Sequence, residues 1–403
     1  MVKYPSRRWF LGVGAILLLV CVLASLALGQ ATVRRTPRLQ VRAIQTGLVI
    51  PGMEELRITL PPARAEALRT KQAANVQVLA RSYFMRNNIP HLRLAGDREV
   101  MLMPLTTMAG QPTRRQLSAS MELPTAMRAY RPHLNLTVVG KLRPLLPPNT
   151  LDHRSNQTPI RDQQNRGTCV AFASMAGLEV AYGSTTLDLS EQDAYHIYMR
   201  QEGRTCCYNY GLKTTNSADY LKNHAVCKET NWGYVNYGGL GCPISNANGH
   251  RPDAAEDNAR HKIKTCQMIW RNDELTTDSG TYINNPKYLE SILHSGKDII
   301  FGTHVAGWSG NLAGVIDVQL GPGDQPLPSA GGHAMLVVGY DRPAEYFIVK
   351  NSWGTGYGQS GYLYLSYDYI RTYAKYGYYV TGVEPVLTTF RPMLRRGVLR
   401  RRP

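Results

Sequence analysis

Asn165-Arg166-Gly167-Thr168-Cys169-Val170-Ala171-Phe172-Ala173 is the stretch on which the reading of this chain turns. Gly167 permits a tight backbone turn, and Thr168 is a good helix N-cap. From Cys169 the residues are small or apolar (Ala171, Phe172, Ala173, Met175, Ala176, Leu178, Val180) until Gly183. That pattern predicts a buried helix ended by the glycine. Cys169 falls in its first turn, where the peptide dipoles favour a thiolate and lower the thiol pKa. A lone cysteine is most often only a small buried residue, so the assignment needs partners elsewhere in the chain.

A thiolate nucleophile needs a histidine within hydrogen-bond reach, and the histidine needs a group that fixes its ring. Gly331-Gly332-His333-Ala334-Met335-Leu336-Val337-Val338-Gly339-Tyr340 opens on a histidine and runs into a buried-strand pattern. A turn follows at Asp341–Glu345, a second strand at Tyr346–Lys350, and then Asn351-Ser352-Trp353-Gly354. Positions 333 and 351 are equidistant from 342, inside the turn. A hairpin folded there sets His333 and Asn351 opposite each other, roughly 5 Å apart by cross-strand spacing. Asn351 would accept from one ring nitrogen while the other faces the thiol, with Trp353 shielding the bond. For His153, His196, His224, His250, His261, His294 and His304, surface or packing roles are expected.

These residues carry a resemblance. Gln163-x5-Cys169-x-Ala171-Phe172 resembles the nucleophile segment of the papain-like cysteine peptidases, in a form closest to bacterial members. Gly332-His333-Ala334 and Asn351-Ser352-Trp353-Gly354-Thr355-Gly356-Tyr357-Gly358-x2-Gly361-Tyr362 resemble the other two site segments, in the same order along the chain. Leu151-Asp152-His153-Arg154 resembles the start of the mature enzyme, and Leu189-Ser190-Glu191-Gln192 a helix start downstream of the nucleophile. The resemblance implies that Gln163 and the Cys169 backbone N–H line an oxyanion hole. Arg166 stands where the family often has a disulfide cysteine, Val170 where it has Trp, and Tyr357 where a second Trp is usual. The separation of 164 positions from Cys169 to His333 exceeds the family's usual interval, and the surplus is expected as an insertion near 235–285.

The net charge of +17 resolves by position. Residues 1–31 carry +3, residues 32–150 carry +12, residues 151–383 carry −3 and residues 384–403 carry +5. A slightly acidic centre without a basic stripe disfavours nucleic acid as a partner. Trp9–Leu28 is an uncharged apolar run behind Arg7-Arg8, so residues 1–31 read as a signal peptide or a membrane anchor. The chain is accordingly expected to be exported, periplasmic or secreted, or held at the membrane. Cys206, Cys207, Cys227, Cys242 and Cys266 can pair in such a compartment; Cys242 with Cys266 is one option, and the resemblance implies Cys206 or Cys207 with Cys227. Zinc spacing is absent, and no metal or other cofactor is expected.

The resulting expectation is an α+β, two-lobed papain-like fold over 151–383. Its helical lobe lies around 160–230 and its β-barrel-like lobe around 285–383, with a cleft between. Cys169 attacks a peptide carbonyl, His333 shuttles the proton, Asn351 orients His333, and Gln163 stabilises the oxyanion. Protein or peptide substrates are the expected partners. Residues 32–150 form a basic N-terminal region in the place of a propeptide, with an amphipathic helix from Pro62 to about Asn87 and β-like runs at Val100–Leu105 and Leu134–Val139. Residues 384–403 form a basic tail. The competing classes are a membrane-tethered, non-enzymatic binding protein on the same scaffold and a Cys-His transferase or amidase.

Overall fold

The structure is a computed structural model that describes residues 83–86, 89–104, 147–204, 211–235, 251–272, 280–308, 314–321 and 324–386. Its spine is an eight-stranded sheet. The strands are β4 (Thr150–Asp152), β5 (Ile263–Trp270), β6 (Ile299–Val305), β7 (Val315–Ile316), β8 (Gly331–Asp341), β9 (Tyr346–Lys350), β10 (Tyr362–Ser366) and β11 (Ala374–Val383). Their order is β5-β11-β6-β8-β9-β10-β7, with β4 taking the β8 edge beyond the end of β6. A separate antiparallel sheet precedes it in the chain: β1 (Tyr83–Arg86), β2 (Ile89–Arg93) and β3 (Glu99–Met101).

Side chains on a strand alternate between faces, and here the alternation sorts two cores. Met335, Val337, Phe347, Val349, Leu363 and Leu365 enter one, together with α5 (Pro286–His294) and α6 (Tyr367–Tyr373). Ala334, Leu336, Val338, Ile348 and Tyr364 enter the other, with α1 (Cys169–Ala181), α2 (Glu191–Gln201) and α3 (Thr214–Asn223). The helical lobe and the β-rich lobe thus pack on opposite faces of the shared sheet, giving the α+β two-lobed fold. The short helix α4 (Asp253–Asn258) lies between α3 and β5 in the chain.

Helix α1 ends as its sequence predicts. Gly183 takes φ +69°, its N–H donates to the Val180 carbonyl, and the Ser184 N–H donates to Glu179, a Schellman arrangement. The stretch expected as an insertion is in part structural: Ile263–Trp270 pairs along β11 and buries Met268, Ile269 and Trp270. Polar residues at Lys264, Thr265 and Gln267 hide that strand from a reading by hydrophobicity. Residues 83–86 are strand where helical spacing predicted a helix; the rest of that predicted helix, and the run Leu134–Val139, lie outside the described residues. Pairing with β2 and burial of β2 and β3 against the lobe outweigh local spacing there. Cys227 and Cys266 are free thiols, so neither expected disulfide forms. Burial, with the Asp193 carboxyl beside it, instead pushes the Cys227 thiol up to about 12.

Candidate active site

Cys169 opens α1 at the seam of the two lobes and is 1% exposed. Thr168 occupies the N-cap position, but its hydroxyl lies 2.8 Å from Tyr234 Oη and makes no capping bond. The Cys169 sulfur is met by backbone N–H groups of Cys169, Val170 and Ala334, the last one residue beyond His333. These donors favour a thiolate, yet burial outweighs them and pushes the thiol up to about 11. The depressed thiol pKa expected from helix position is therefore not seen in this covered state.

His333 is fully buried on β8. Its Nε2 pairs with Asn351 Oδ1 at 2.7 Å, and its Nδ1 has no hydrogen-bond partner. Burial pushes the imidazole down to about 4, with the Asn351 bond pulling the other way. The register is not the direct opposition expected. Leu336 pairs with Lys350 and Val337 with Val349, but Gly339 pairs with Ile348, leaving Val338 as a bulge. Continued one step, this register sets Asn351 across from Met335, diagonal to His333. The bulge is what makes the pair. A one-residue slip exchanges the faces of a strand; without it Asn351 would lie opposite Leu336, whose side chain enters the other core.

Gln163 is fully buried and doubly held. Its Nε2 donates to the Arg166 carbonyl at 2.8 Å, and its Oε1 accepts from Ser352 Oγ at 2.7 Å. One of its two amide hydrogens is thereby used and one is left over. Arg166, in the place of a bridging cysteine, donates to Gln192 Oε1 and to the Val235 carbonyl. Its guanidinium lies 5.2 and 4.9 Å from the ring centroids of Tyr195 and Tyr234. Cation–π contacts and hydrogen bonds thus tie together what a disulfide would.

Aromatic rings enclose the imidazole. Trp353 stacks on His333 at 4.4 Å, Trp308 stands perpendicular to it at 6.1 Å, and Tyr357 packs on Trp353 at 4.9 Å. Behind the site, Lys350 Nζ donates to the carbonyl and hydroxyl oxygens of Thr158, both at 2.8 Å. The Thr158 hydroxyl in turn donates to Glu179 on α1. This strap joins the strand that carries Asn351 to the helix that carries Cys169. Sequence reading missed Trp308 and the strap; neither carries a local motif.

The stretch after β3 lies across the site. Strand β9 ends opposite Leu336, which leaves the first residues of β8 open on that edge. Met103 fills it, exchanging two 2.7 Å backbone bonds with Gly332. Met101 and Met103 are both buried. A Cβ on Gly167 would lie 1.8 Å from Met101 Cε, and one on Gly211 2.5 Å from Met103 Cγ, so the glycines leave the space these side chains take. Arg98 closes the end, donating to Asp162 Oδ2 at 2.7 Å and to the Trp353 carbonyl at 3.1 Å.

A helix-borne thiol against the backbone N–H of the residue that follows a strand-borne imidazole, the ring held by a carboxamide, lies in the seam between a helical and a sheet lobe. A sequence model described as papain family cysteine protease matches residues 147–378, and the chain belongs to that family. Among curated relatives, "Cysteine proteinase 1" of Dictyostelium discoideum is 25% identical over 236 residues, covering 54% of this chain and 60% of the relative. "Cysteine proteinase 1" of Entamoeba histolytica is 30% identical over 227 residues, covering 54% of this chain and 62% of the relative. The chain therefore spans about 60% of the length of these relatives. Among solved structures, xylellain, a cysteine protease from Xylella fastidiosa, is 22% identical with a TM-score of 0.48, covering 70% of this chain and 96% of that one.

Proposed function

We propose that the chain hydrolyses peptide bonds as a cysteine peptidase, and that residues 99–104 hold its site shut until they are cut away or displaced. The observation that carries the reading is the His333–Asn351 bond at 2.7 Å, with Nδ1 unpartnered and the Cys169 sulfur against the next residue's N–H. In the uncovered site the Cys169 thiol passes its proton to His333 and attacks the carbonyl carbon of a peptide bond. The Gln163 amide and the Cys169 N–H take the oxyanion. His333 gives the proton to the leaving amine, an acyl-thioester forms, and water attacks it after losing a proton to His333. The carboxylic acid leaves and the thiol is restored. Asn351 keeps the ring turned throughout.

The covering arm supports the zymogen part of the reading. It takes the Gly332 edge that an extended substrate would use for backbone pairing, and both pKa shifts favour the neutral thiol–imidazole pair while water is excluded. Release of the arm returns solvent to both groups. The strand Thr150–Asp152, paired to β8, supports a processing region before residue 147. Residues 1–31 serve export or anchoring in this proposal; among the described residues no helix is long and apolar enough to cross a membrane, and Trp9–Leu28 lies outside them.

Fluorogenic peptide hydrolysis tests this on three chains: wild type, Met101→Asp/Met103→Asp, and the same double variant with Cys169→Ala. The double variant should hydrolyse at least about ten-fold faster than unprocessed wild type, since two charges cannot be buried in the apolar seats. Cys169→Ala should abolish the activity. Absence of hydrolysis in the opened chain, with Cys169 alkylated by iodoacetamide no faster than in its His333→Ala variant, would favour the binding-protein class. Amino-terminal sequencing of the mature protein locates both cuts.

A further inference from the structure

Trp308 lies 25 residues before His333 in the chain, outside every segment that resembles a family motif. It is fully buried, and its surroundings are specific. Its ring stands at 88° to the His333 imidazole, 6.1 Å between centroids, and at 68° to Trp353, 5.6 Å away. These are edge-to-face distances, where aromatic pairs gain from geometry beyond simple burial. The two indoles are held differently. Trp353 Nε1 is buried without a hydrogen-bond partner, so packing alone fixes that ring. Trp308 Nε1 donates to Tyr369 Oη at 2.7 Å.

Tyr369 is a hub for the loop that presents Trp308. Its hydroxyl donates to the His304 carbonyl at 2.7 Å and also accepts the Ala306 N–H at 3.2 Å. The Trp308 backbone N–H donates to Tyr83 Oη of β1 at 2.8 Å. The indole is therefore pinned at ring and backbone while the stacked Trp353 rests against it. Such pinning fits a ring that must keep one place, and the group it keeps in place is the imidazole.

We propose that Trp308 is a positioning residue for the His333–Asn351 pair. It backs Trp353 against the imidazole and keeps water from the Nε2–Oδ1 bond, a part the sequence reading gave to Trp353 alone. This rests on the reading of His333 and Asn351 as the working pair, but its test needs no turnover.

The test is hydrogen exchange of the His333 ring Nε2–H in full-length protein labelled with 15N-histidine. The signal is assigned by its loss in His333→Ala and compared among wild type, Trp308→Ala, Trp308→Phe and Tyr369→Phe at neutral pH. Exchange should quicken about ten-fold or more in Trp308→Ala, and in Tyr369→Phe by about the equilibrium value of one hydrogen bond, three- to ten-fold. Trp308→Phe, which restores a ring edge, should stay within about three-fold of wild type. In opened chains the same variants should lower kcat with KM unchanged within about two-fold, as for an interaction made with the base and not with the substrate. Unchanged exchange in folded Trp308→Ala overturns the proposal. Where Trp308→Ala does not fold, unchanged exchange in folded Tyr369→Phe overturns it. A chain that hydrolyses no peptide yet shows the exchange pattern sinks the activity and leaves the positioning role standing.

Discussion

Asn351 and Gln163 do different work with the same functional group. Asn351 offers an oxygen to a ring, while Gln163 keeps one amide hydrogen after giving the other to Arg166. If the proposed mechanism holds, Asn351→Ala in the opened chain should lower kcat about 10- to 100-fold and leave KM nearly unchanged, because the ring loses its tether but not its proton chemistry. On the proposed mechanism Gln163→Ala removes an oxyanion donor and should cost about 10²- to 10³-fold in kcat. Steady-state kinetics on both variants separate the roles; equal losses concentrated in KM would contradict both. Arg166 belongs at this scale too. Lysine can reach one of its acceptors but cannot lie flat between Tyr195 and Tyr234, so Arg166→Lys should cost about 1–3 kcal/mol in a urea titration. These three residues were legible because each sits inside a short motif whose spacing is chemical. Trp308 was not, since a single aromatic in Ala306-Gly307-Trp308-Ser309 looks like any other packed ring.

Elements explain why the legible residues meet. The hairpin at 342 was readable from two apolar runs and a polar turn, and both strands lie where the pattern put them. The bulge at Val338 was not, although Gly339 beside it is a signal of such irregularity. A Cβ there would come 2.4 Å from the Leu151 carbonyl oxygen, so the glycine also admits β4 to the edge of β8. Just beyond β4, His153 Nδ1 lies 2.6 Å from Asp298 Oδ1, and Gln157 Nε2 donates to the same carboxylate's other oxygen at 2.7 Å. The hydrogen bond to Asp298, opposed by burial, raises the His153 pKa. A histidine read as surface or packing is thus the anchor for the start of the catalytic unit. Its sign follows from linkage: the stabilisation is fully present below the ordinary value near 6.5 and is lost as pH rises through the raised one. The urea midpoint lost on His153→Gln should therefore be larger at pH 5.5 than at pH 9. A larger loss at pH 9 would mean that the ion pair is not what holds β4.

At the scale of the whole chain, the sequence placed +12 on residues 32–150 against −3 on the centre, and a salt-weakened attraction is the natural reading of that contrast. The described contacts give it a smaller part. Among the described residues the ion pair that crosses from the arm region to the catalytic unit is Arg98–Asp162, and it is partly exposed. Burial carries more: Leu92, Leu94, Val100 and Leu102 enter the core of the β-rich lobe, and Met103 enters that of the helical lobe. In the proposed covered state the arm is thus held less by salt-sensitive pairs than by burial, and two groups buried at the site, His333 and Cys169, are titratable. His333, pushed down to about 4, contributes stability that is present above 6.5 and lost as pH falls through 4. Cys169, pushed up to about 11, contributes stability that is lost as pH rises past its ordinary 9. Closure is therefore firmest between about 6.5 and 9, and acid loosens it. The Met103 amide, bonded to the Gly332 carbonyl, reports this directly. Its hydrogen-exchange protection, corrected for the intrinsic pH dependence, should fall at least about ten-fold from pH 7 to pH 4.5 in unprocessed Cys169→Ala chain, and far less when His333→Gln is added. Protection that falls equally in both chains would move the acid response away from His333, to the other groups that the arm covers.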